Sequence, residues 1–245
     1  MNRGFLYGDG FFETIRVLDG SIPLMDSHLE RIEDAMIIYK LEPKFEISED
    51  FIRSIASEYE SNGSLRINFF RDGGGTYSPE TNDVAFNHLF TPQNKPFFVP
   101  TSLDFEADLK NAPVSLGTTG LYPAPKPNVS WMTVKSLSSM YYVLAAQHKK
   151  EKKLDYLFIQ NEEGHICEEL ISNILIQKGE NFFIPSIASG GVNGATQRFL
   201  FRNYGFAITE KKLTIKDLET ADAVYLCKGS TGVIKVRYNS NPSQP

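Results

Sequence analysis

Apolar residues recur at helical spacing in two stretches near the start of the chain. In the first, an apolar side chain returns every three to four positions over 29–37, which predicts a helix. Ser27 and Glu30 are typical of the capping box that begins such a helix. A second amphipathic helix is predicted to begin at Ser48 and to end at the helix breaker Asn62-Gly63.

Strand-like apolar runs follow these helices and are separated by segments rich in turn residues. The runs at 65–70 and 83–90 predict two strands in the N-terminal half. Proline clusters at 91–100 and again at 122–128, and either cluster is a candidate linker.

The C-terminal half predicts a strand at 129–134 that leads directly to Lys135. The other elements predicted there are a helix at 136–153, strands at 155–160, 165–177 and 180–185, a helix from about 194 to 204, and strands at 223–227 and 232–236. Strands outnumber helices, and the two types do not alternate regularly. This order favours an α/β protein of mixed α+β type over a doubly wound parallel sheet.

Composition narrows the class of protein further. Hydrophobic residues make up 41% of the 245 residues and the formal net charge is −5, so the chain lacks the overall basic character of a nucleic-acid-binding protein. Two cysteines are too few for a disulfide framework and favour a reducing compartment. Neither a signal peptide nor an apolar run long enough for a membrane span is visible. We therefore expect a soluble cytoplasmic protein that binds neither nucleic acid nor membrane.

Several common chemical motifs are incomplete in this sequence. The glycines of GDGFF and GGGTY do not complete a dinucleotide-binding fingerprint, and KGS at 228–230 lacks the preceding glycine of a phosphate-binding loop. The four histidines do not have the spacing of zinc ligands, and we predict no metal site.

The order of a dispersed set of residues carries more information than any single motif. GDGFFETIRVLDG at 8–20 precedes a helical SHLER segment that ends at Arg31. Lys135 follows a predicted strand, two adjacent carboxylates lie five and four residues before Asn173, and GVNGATQR at 191–198 opens a helix. In this order and spacing the chain resembles the class IV aminotransferases, which are pyridoxal-phosphate enzymes of fold type IV. The resemblance extends over nearly the whole chain.

The resemblance implies a two-domain architecture. The small N-terminal α/β domain would cover 1–92, without the first strands usual in the family, and the larger cofactor-binding domain would cover 98–245. Pyridoxal 5'-phosphate would lie between the domains, and a partner subunit of a homodimer would complete the entrance to the cofactor.

The resemblance also assigns roles around the cofactor. Lys135 matches the lysine that forms the Schiff base and moves the substrate's α-proton. Glu168 matches the carboxylate that keeps the pyridine nitrogen protonated, and the spacing to Asn173 favours it over Glu169. Arg31 matches the arginine that binds the cofactor phosphate, for which a guanidinium is well suited.

The resemblance implies further cofactor contacts at positions where this chain matches the family motif only in part. Ala195 and Thr196 match positions where backbone N–H groups at a helix N-terminus bind the phosphate, although the arginine that follows in the family is replaced by glutamine. The remaining cofactor residues implied by the resemblance are Gly229, Ser230 and Tyr141. In the family, a residue near this point bonds to the phenolic oxygen of the cofactor. The family's exact spacing falls on Met140, whereas the neighbouring Tyr141 has the hydroxyl group that such a bond needs.

Substrate residues are implied by position alone. Tyr7, Glu13, Arg66 and Arg71 fall where related enzymes line the substrate pocket. Arg66 stands where aminodeoxychorismate lyase has lysine, but Thr76 stands where that lyase has a second arginine. Glu13 is typical of the transaminases.

These matches favour amino-group transfer between an amino acid and a 2-oxo acid. The alternative is cleavage of 4-amino-4-deoxychorismate to pyruvate and 4-aminobenzoate. A binding protein that has lost catalysis is disfavoured because Lys135 and Glu168 are both present.

Overall fold

The computed structural model describes residues 2–238, and these residues form two compact units. The first unit comprises 2–95 together with 134–139, and the second comprises 96–133 and 140–238. The segment 134–139 groups with the first unit because its main chain bonds to the first strand of that unit. The domain limits 1–92 and 98–245 stay a prediction.

The first unit is a three-stranded antiparallel sheet with two longer helices. Its elements are α1 (Arg3–Tyr7), β1 (Gly10–Val17), α2 (Met25–Tyr39), α3 (Glu49–Ala56), β2 (Gly63–Arg71) and β3 (Val84–Pro92). Every second residue of β2 is buried, which places Leu65, Ile67 and Phe69 in one apolar core with residues of β1, α2 and α3.

The second unit contains a six-stranded mixed sheet and a smaller three-stranded sheet. Its elements are α4 (Phe105–Leu109), β4 (Val114–Gly117), β5 (Thr119–Leu121), α5 (Met140–Glu151), β6 (Tyr156–Gln160), β7 (Ile166–Glu169), β8 (Asn173–Lys178), β9 (Asn181–Pro185), α6 (Ala195–Tyr204), β10 (Ile208–Lys211), α7 (Ile215–Glu219), β11 (Ala223–Lys228) and β12 (Gly232–Tyr238). The larger sheet has the order β10-β9-β8-β11-β12-β4, and the smaller has the order β5-β6-β7. This architecture confirms the predicted mixed α+β fold.

Elements with strong local signals form where the sequence predicts them. Ser48 is the N-cap of α3 and its side chain accepts the N–H of Phe51, as its position before the apolar face predicts. The predicted helix after Gly194 is α6, and the last two predicted strands are β11 and β12.

Two helix boundaries in the first unit were predicted wrongly, and in the second unit α5 begins at Met140 rather than at 136. α2 begins at Met25 after Leu24, so Ser27 lies inside its first turn and forms no capping box. α3 ends at Ala56, well before Asn62, because the chain turns there and the ring of Tyr59 stacks on Phe90 with centroids 4.4 Å apart. In both cases packing outweighs the local signal.

The predicted strand at 129–134 does not form either. Ser130–Met132 is a short 3-10 helix, and the carbonyl oxygen of Thr133 accepts the N–H of Asn193. The main chain just beyond it bonds to β1 instead, so no single neighbour offers the continuous ladder that a strand needs.

The predicted strand at 165–177 is divided into β7 and β8. Glu169 and Ser172 exchange main-chain hydrogen bonds across a tight turn, and this turn separates the two strands. The apolar character of the intervening residues had concealed the turn.

The described helices are short. α2, with 15 residues, is not long or apolar enough to cross a membrane, and the same holds for each other helix within residues 2–238.

Gly232 tests how tightly the second unit constrains its backbone. Its φ is +72°, and a Cβ atom there would lie 1.8 Å from the carbonyl oxygen of Phe98. We expect Gly232→Ala to lower the free energy of unfolding by about 2–4 kcal/mol, because left-handed strain adds to overpacking. Urea unfolding monitored by circular dichroism measures the loss.

Gly179 provides the matched control for this substitution. It also has a positive φ, +61°, but a Cβ atom there would meet no atom within 4 Å. We expect Gly179→Ala to lower the free energy of unfolding by only about 1 kcal/mol. Equal losses in the two variants would contradict the steric part of the argument.

Candidate active site

Lys135 is fixed by its main chain within the first unit. Its carbonyl oxygen accepts the N–H of Phe12 on β1 at 2.8 Å. The next residue, Ser136, accepts a hydrogen bond from the hydroxyl of Tyr39 on α2 at 2.5 Å. The backbone at Lys135 is therefore held by a strand, and the side chain of the next residue is held by a helix, although the lysine lies outside regular secondary structure.

The aromatic ring of Phe12 lies against two cations. The Nζ atom of Lys135 is 5.1 Å from the ring centroid, and the guanidinium carbon of Arg66 is 3.5 Å from it. The Nε atom of Arg66 donates to Oδ1 of Asn68 at 2.8 Å, and burial lowers the pKa of this guanidinium. The structure thus brings two predicted site residues, Lys135 and Arg66, to the same cation–π partner.

Glu13 lies at the centre of a buried polar network on the opposite side of β1. Its Oε1 atom accepts from Nδ1 of His28 at 2.6 Å and from Nη1 of Arg31 at 3.1 Å. Burial alone would raise the pKa of Glu13, but Arg31, the hydrogen bond from His28 and the charge of Lys135 outweigh it and lower that pKa. Glu13 is therefore a carboxylate, and the predicted phosphate-binding Arg31 is one of the groups that stabilise it.

Arg71 is occupied by structural contacts. Its Nε atom bonds Asp9 at 3.1 Å, Nη1 donates to Oδ1 of Asn82 at 2.6 Å, and Nη2 donates to the carbonyl oxygen of Tyr39 at 2.6 Å. These bonds join β2 to three other segments: the loop before β1, the end of α2 and the loop before β3. Arg71 therefore has a role in holding the first unit together, and its contact with substrate stays a prediction.

Tyr7 lies beside the glycine-rich segment after β2. Its ring is 5.8 Å from that of Tyr77, and the guanidinium carbon of Arg3 is 4.9 Å from its centroid. Arg3 in turn donates to the carbonyl oxygen of Gly75 at 2.7 Å. Tyr7 is thus part of a small cluster that anchors this segment.

In the second unit, the carboxylate of Glu168 accepts three hydrogen bonds, more than the side chain of any other predicted site residue there. Its Oε1 atom accepts from Nζ of Lys126 at 2.7 Å and from the hydroxyl of Tyr142 at 2.8 Å. Its Oε2 atom accepts the N–H of Val192 at 2.9 Å. The side chain of Glu168 is only 4% exposed, so these donors replace the water that a carboxylate requires.

Glu169 points to the opposite face of β7, as strand alternation requires. Its carboxyl group accepts the N–H of Ile171 at 3.1 Å and lies 3.8 Å from Nζ of Lys149. Burial raises the pKa of Glu169. Its contacts hold the turn between β7 and β8, which gives it a structural role and favours Glu168 for the site.

The N-terminus of α6 carries two predicted phosphate-binding residues. α6 begins at Ala195 after the N-cap Gly194, and the first N–H groups of a helix have no acceptor within the helix. The side chain of Thr196 is completely buried, and its Oγ1 atom has no hydrogen-bond partner within the part of the chain that the structure describes. A buried hydroxyl of this kind is unsatisfied without a further ligand.

The loop before α6 is tied to the strand that carries Glu168. The Nδ2 atom of Asn173 donates to the carbonyl oxygen of Val192 at 2.6 Å, next to the N–H that bonds Glu168. A Cβ atom on Gly194 would lie 1.8 Å from Oδ1 of Asn173, so a larger residue there would displace this amide. These contacts fix the entry to α6 relative to Glu168.

The remaining predicted cofactor residues have weaker geometric support. Gly229 and Ser230 form the half-buried turn between β11 and β12. The hydroxyl of Tyr141 donates to the carbonyl oxygen of Ala124 at 2.7 Å, and burial raises its pKa. It is the neighbouring Tyr142 that reaches Glu168.

Sequence reasoning missed Lys126 and Tyr142 as partners of Glu168. Lys126 lies between two prolines in the second proline cluster, a composition that indicates a linker and carries no periodic signal. Tyr142 lies on α5 next to the predicted Tyr141, and helical spacing alone does not determine which of the two faces the carboxylate.

Comparison with known proteins identifies the family. The family model described as amino-transferase class IV matches residues 10–238. The aminodeoxychorismate lyase of Bacillus subtilis (strain 168) is 27% identical over 240 residues, which cover 95% of this chain and 78% of that protein. The D-alanine aminotransferase of Staphylococcus haemolyticus is 25% identical over 247 residues, which cover 96% of this chain and 81% of that protein.

A solved structure agrees with these sequence matches. The crystal structure of an aminotransferase from Brucella abortus, bound to the cofactor PLP, superposes with a TM-score of 0.76 at 19% identity and covers 99% of this chain and 86% of that one. The similarity to the Brucella enzyme shows a shared fold, and the family match spans β1 to β12. The chain therefore belongs to the class IV aminotransferase family, whose named relatives include both aminotransferases and aminodeoxychorismate lyases.

Proposed function

We propose that this protein is a pyridoxal-phosphate enzyme that transfers an amino group between an amino acid and a 2-oxo acid. The observation that carries the proposal is the buried Glu168 carboxylate with its three donors. A carboxylate oxygen accepts two hydrogen bonds, so Oε1 is filled by Lys126 and Tyr142 while Oε2, which accepts one N–H, retains capacity for one more. A protonated pyridine nitrogen is a single donor and matches that capacity.

The N-terminus of α6 fits the phosphate of the same cofactor. The N–H groups of its first turn and the helix dipole favour an anion there. The unsatisfied Oγ1 atom of Thr196 adds a hydroxyl donor at the same helix end. Arg31, Gly229, Ser230 and Tyr141 are proposed as further cofactor contacts on the strength of the family resemblance.

Pyridoxal phosphate, when bound, draws electrons away from the substrate's Cα through its protonated pyridine ring. The role of Glu168 is to hold the proton at the pyridine nitrogen. The role of Lys135 is to hold the cofactor covalently at Nζ and then to move the proton of the substrate's Cα. Its fixed main chain supports this role, because proton transfer needs the base within hydrogen-bond reach of the reacting atom.

On the substrate side we propose Arg66, Glu13 and Tyr7. Arg66 is a desolvated guanidinium against an aromatic ring, and the fork of its Nη groups suits a carboxylate bidentately. Glu13 contributes a fixed negative charge that attracts the cationic side chains around it, including Lys135. The proposed substrate site leaves out Arg71 because of its structural bonds.

The second candidate function is aminodeoxychorismate lyase. Arg66 favours it, since a half-buried cation beside an aromatic ring also suits a cyclic carboxylate substrate, and the Bacillus subtilis relative carries that name. Thr76 and Glu13 favour transamination. A homodimer and a cytoplasmic location stay predictions for either activity.

The first prediction concerns the lysine that binds the cofactor. Borohydride reduction of the protein loaded with pyridoxal phosphate should attach the pyridoxyl group to Lys135, and peptide mapping by mass spectrometry identifies the labelled residue. Lys135→Ala serves as the control and should lose the label. A label on Lys126 or Lys228 in the unaltered protein would overturn the assignment.

The two adjacent carboxyl groups provide a second test. Glu168→Gln should lower the rate of proton abstraction about a hundredfold or more, because an amide cannot hold the pyridine nitrogen protonated. Glu169→Gln is the matched control and should keep most of the activity, since its carboxyl group holds a turn. Stopped-flow measurement of hydrogen exchange at the substrate's Cα gives the rates, and the reverse order would exchange the two roles.

A third test separates the two activities. We expect a common amino acid to change the absorbance of the bound cofactor, and a 2-oxo acid to reverse the change, because a transaminase stores the amino group between half-reactions. If amino acids leave the spectrum unchanged while 4-amino-4-deoxychorismate yields 4-aminobenzoate and pyruvate, the lyase function is correct instead.

A further inference from the structure

Lys126 is a completely buried charged residue that the proposed function uses only as one of the donors to Glu168. Its side chain is 0% exposed, and its Nζ atom donates to Oε1 of Glu168 at 2.7 Å. Nζ also lies 5.5 Å from the centroid of the Tyr142 ring. A lysine is seldom fully buried unless it is paired, so the pairing with Glu168 is what makes this position possible.

The backbone fixes the two partners independently of their charges. The N–H of Lys126 donates to the carbonyl oxygen of Gln160 at the end of β6. Glu168 on β7 pairs with Ile159, which also lies on β6. The main chains of Lys126 and Glu168 are therefore both paired with the C-terminal end of β6, so the approach of their side chains is set by this pairing.

The other titratable groups of this cluster are neutral at ordinary pH. Tyr141 and Tyr142 face it from α5, and Cys167 faces it from β7. Burial raises the pKa of Cys167 to about 12 and raises the pKa of both tyrosines. The charges that this cluster carries within the described residues are thus the ammonium of Lys126 and the carboxylate of Glu168.

We propose that Lys126 is a positioning residue that fixes the orientation and the ionised form of Glu168 toward the pyridine nitrogen of the cofactor. The inference rests on the proposed function. Lys126 and Tyr142 fill both acceptor positions of Oε1, which directs the incoming pyridinium N–H to Oε2 beside Val192. The ammonium also stabilises the negative charge that the pyridinium needs as its partner.

Removing this ammonium has a pH-dependent consequence. A buried carboxyl group takes up a proton more readily when a neighbouring positive charge is removed, and a protonated carboxyl group is a poorer acceptor for the pyridinium. The effect on cofactor binding is therefore largest at the acidic end of the working pH range and declines as the pH rises. A residue that only supports the fold produces no such pH dependence.

The experiment measures the apparent Kd for pyridoxal phosphate by absorbance titration of the cofactor-free protein at several pH values. We expect Lys126→Met to weaken binding about tenfold or more at the acidic end, as for the loss of a charge-assisted hydrogen bond. The pH profile of the bound cofactor's absorbance should move to higher pH, because protonated forms are favoured. Lys126→Arg keeps the charge and should restore the profile.

Two controls separate positioning from general stability. Lys149→Met removes a cation near Glu169 on the opposite face of β7, and it should leave the Kd and the profile unchanged. In a Glu168→Gln background, Lys126→Met should cause no further pH-dependent loss, because the carboxylate through which it acts is absent. If Lys126→Met does not fold, Lys126→Gln keeps a donor without the charge and should show the same direction of change.

The outcomes are distinct. If Lys126→Met or Lys126→Gln is folded and matches the unaltered protein in Kd and pH profile, the inference is wrong. The inference is also wrong if Lys126→Met weakens cofactor binding as much in the Glu168→Gln background as in the unaltered protein, because Lys126 then acts through the fold and not through the carboxylate. If the unaltered protein does not bind pyridoxal phosphate at all, it is the proposed function that fails.

Discussion

The organisation of both units depends on the burial of carboxylates. An ionised carboxyl group removed from water costs several kcal/mol unless donors replace the lost hydration. Glu13 obtains its donors from His28 and Arg31, and Glu168 obtains them from Lys126, Tyr142 and the Val192 backbone. The donors to Glu13 both lie on α2, whereas the donors to Glu168 come from three different segments. Satisfying each charge therefore also fixes those parts of the chain relative to the strand that carries the carboxylate.

The carboxylates of Glu13 and Glu168 differ in whether their surroundings leave an oxygen able to accept a further hydrogen bond. Glu13 is enclosed by cationic side chains that lower its pKa, so its main effect is to hold a fixed charge among them. Glu168 is bonded by one ammonium, one hydroxyl and one backbone N–H, and retains an acceptor position at Oε2. This difference is the physical reason that Glu168 suits the binding of a protonated ring and Glu13 suits the ordering of its neighbours.

Local sequence signals predicted the elements whose ends depend on local contacts. Ser48 caps α3 through its own side chain, and the apolar runs of β11 and β12 flank a short turn. The strand before Lys135 could not be predicted correctly, because the hydrogen-bond partners of that segment come from Phe12 and Asn193, far away in sequence. Ser27 has the spacing of a capping residue but lies in the core inside α2.

In the candidate site, too, the features that depend on local sequence could be predicted and those that depend on distant contacts could not. Strand alternation separates Glu168 from Glu169 with no knowledge of the fold, since neighbours on a strand face opposite ways. The structural role of Arg71 depends on Asp9, Asn82 and Tyr39, which no local pattern connects. Lys126 likewise has no signal of its own, because its burial follows from the pairing of strands on either side.

The path of the chain has a consequence for the order in which the protein can fold during synthesis. Residues 134–139 complete the first unit, yet they are translated only after 96–133, which belong to the second. The N-terminal sheet thus leaves the ribosome with one edge of β1 unpaired over Gly10–Phe12, and the segment that bonds to this edge is synthesised only later. Lys135 therefore takes its place in the first unit through contacts that are distant in sequence and can form only after residues 96–133 have been translated.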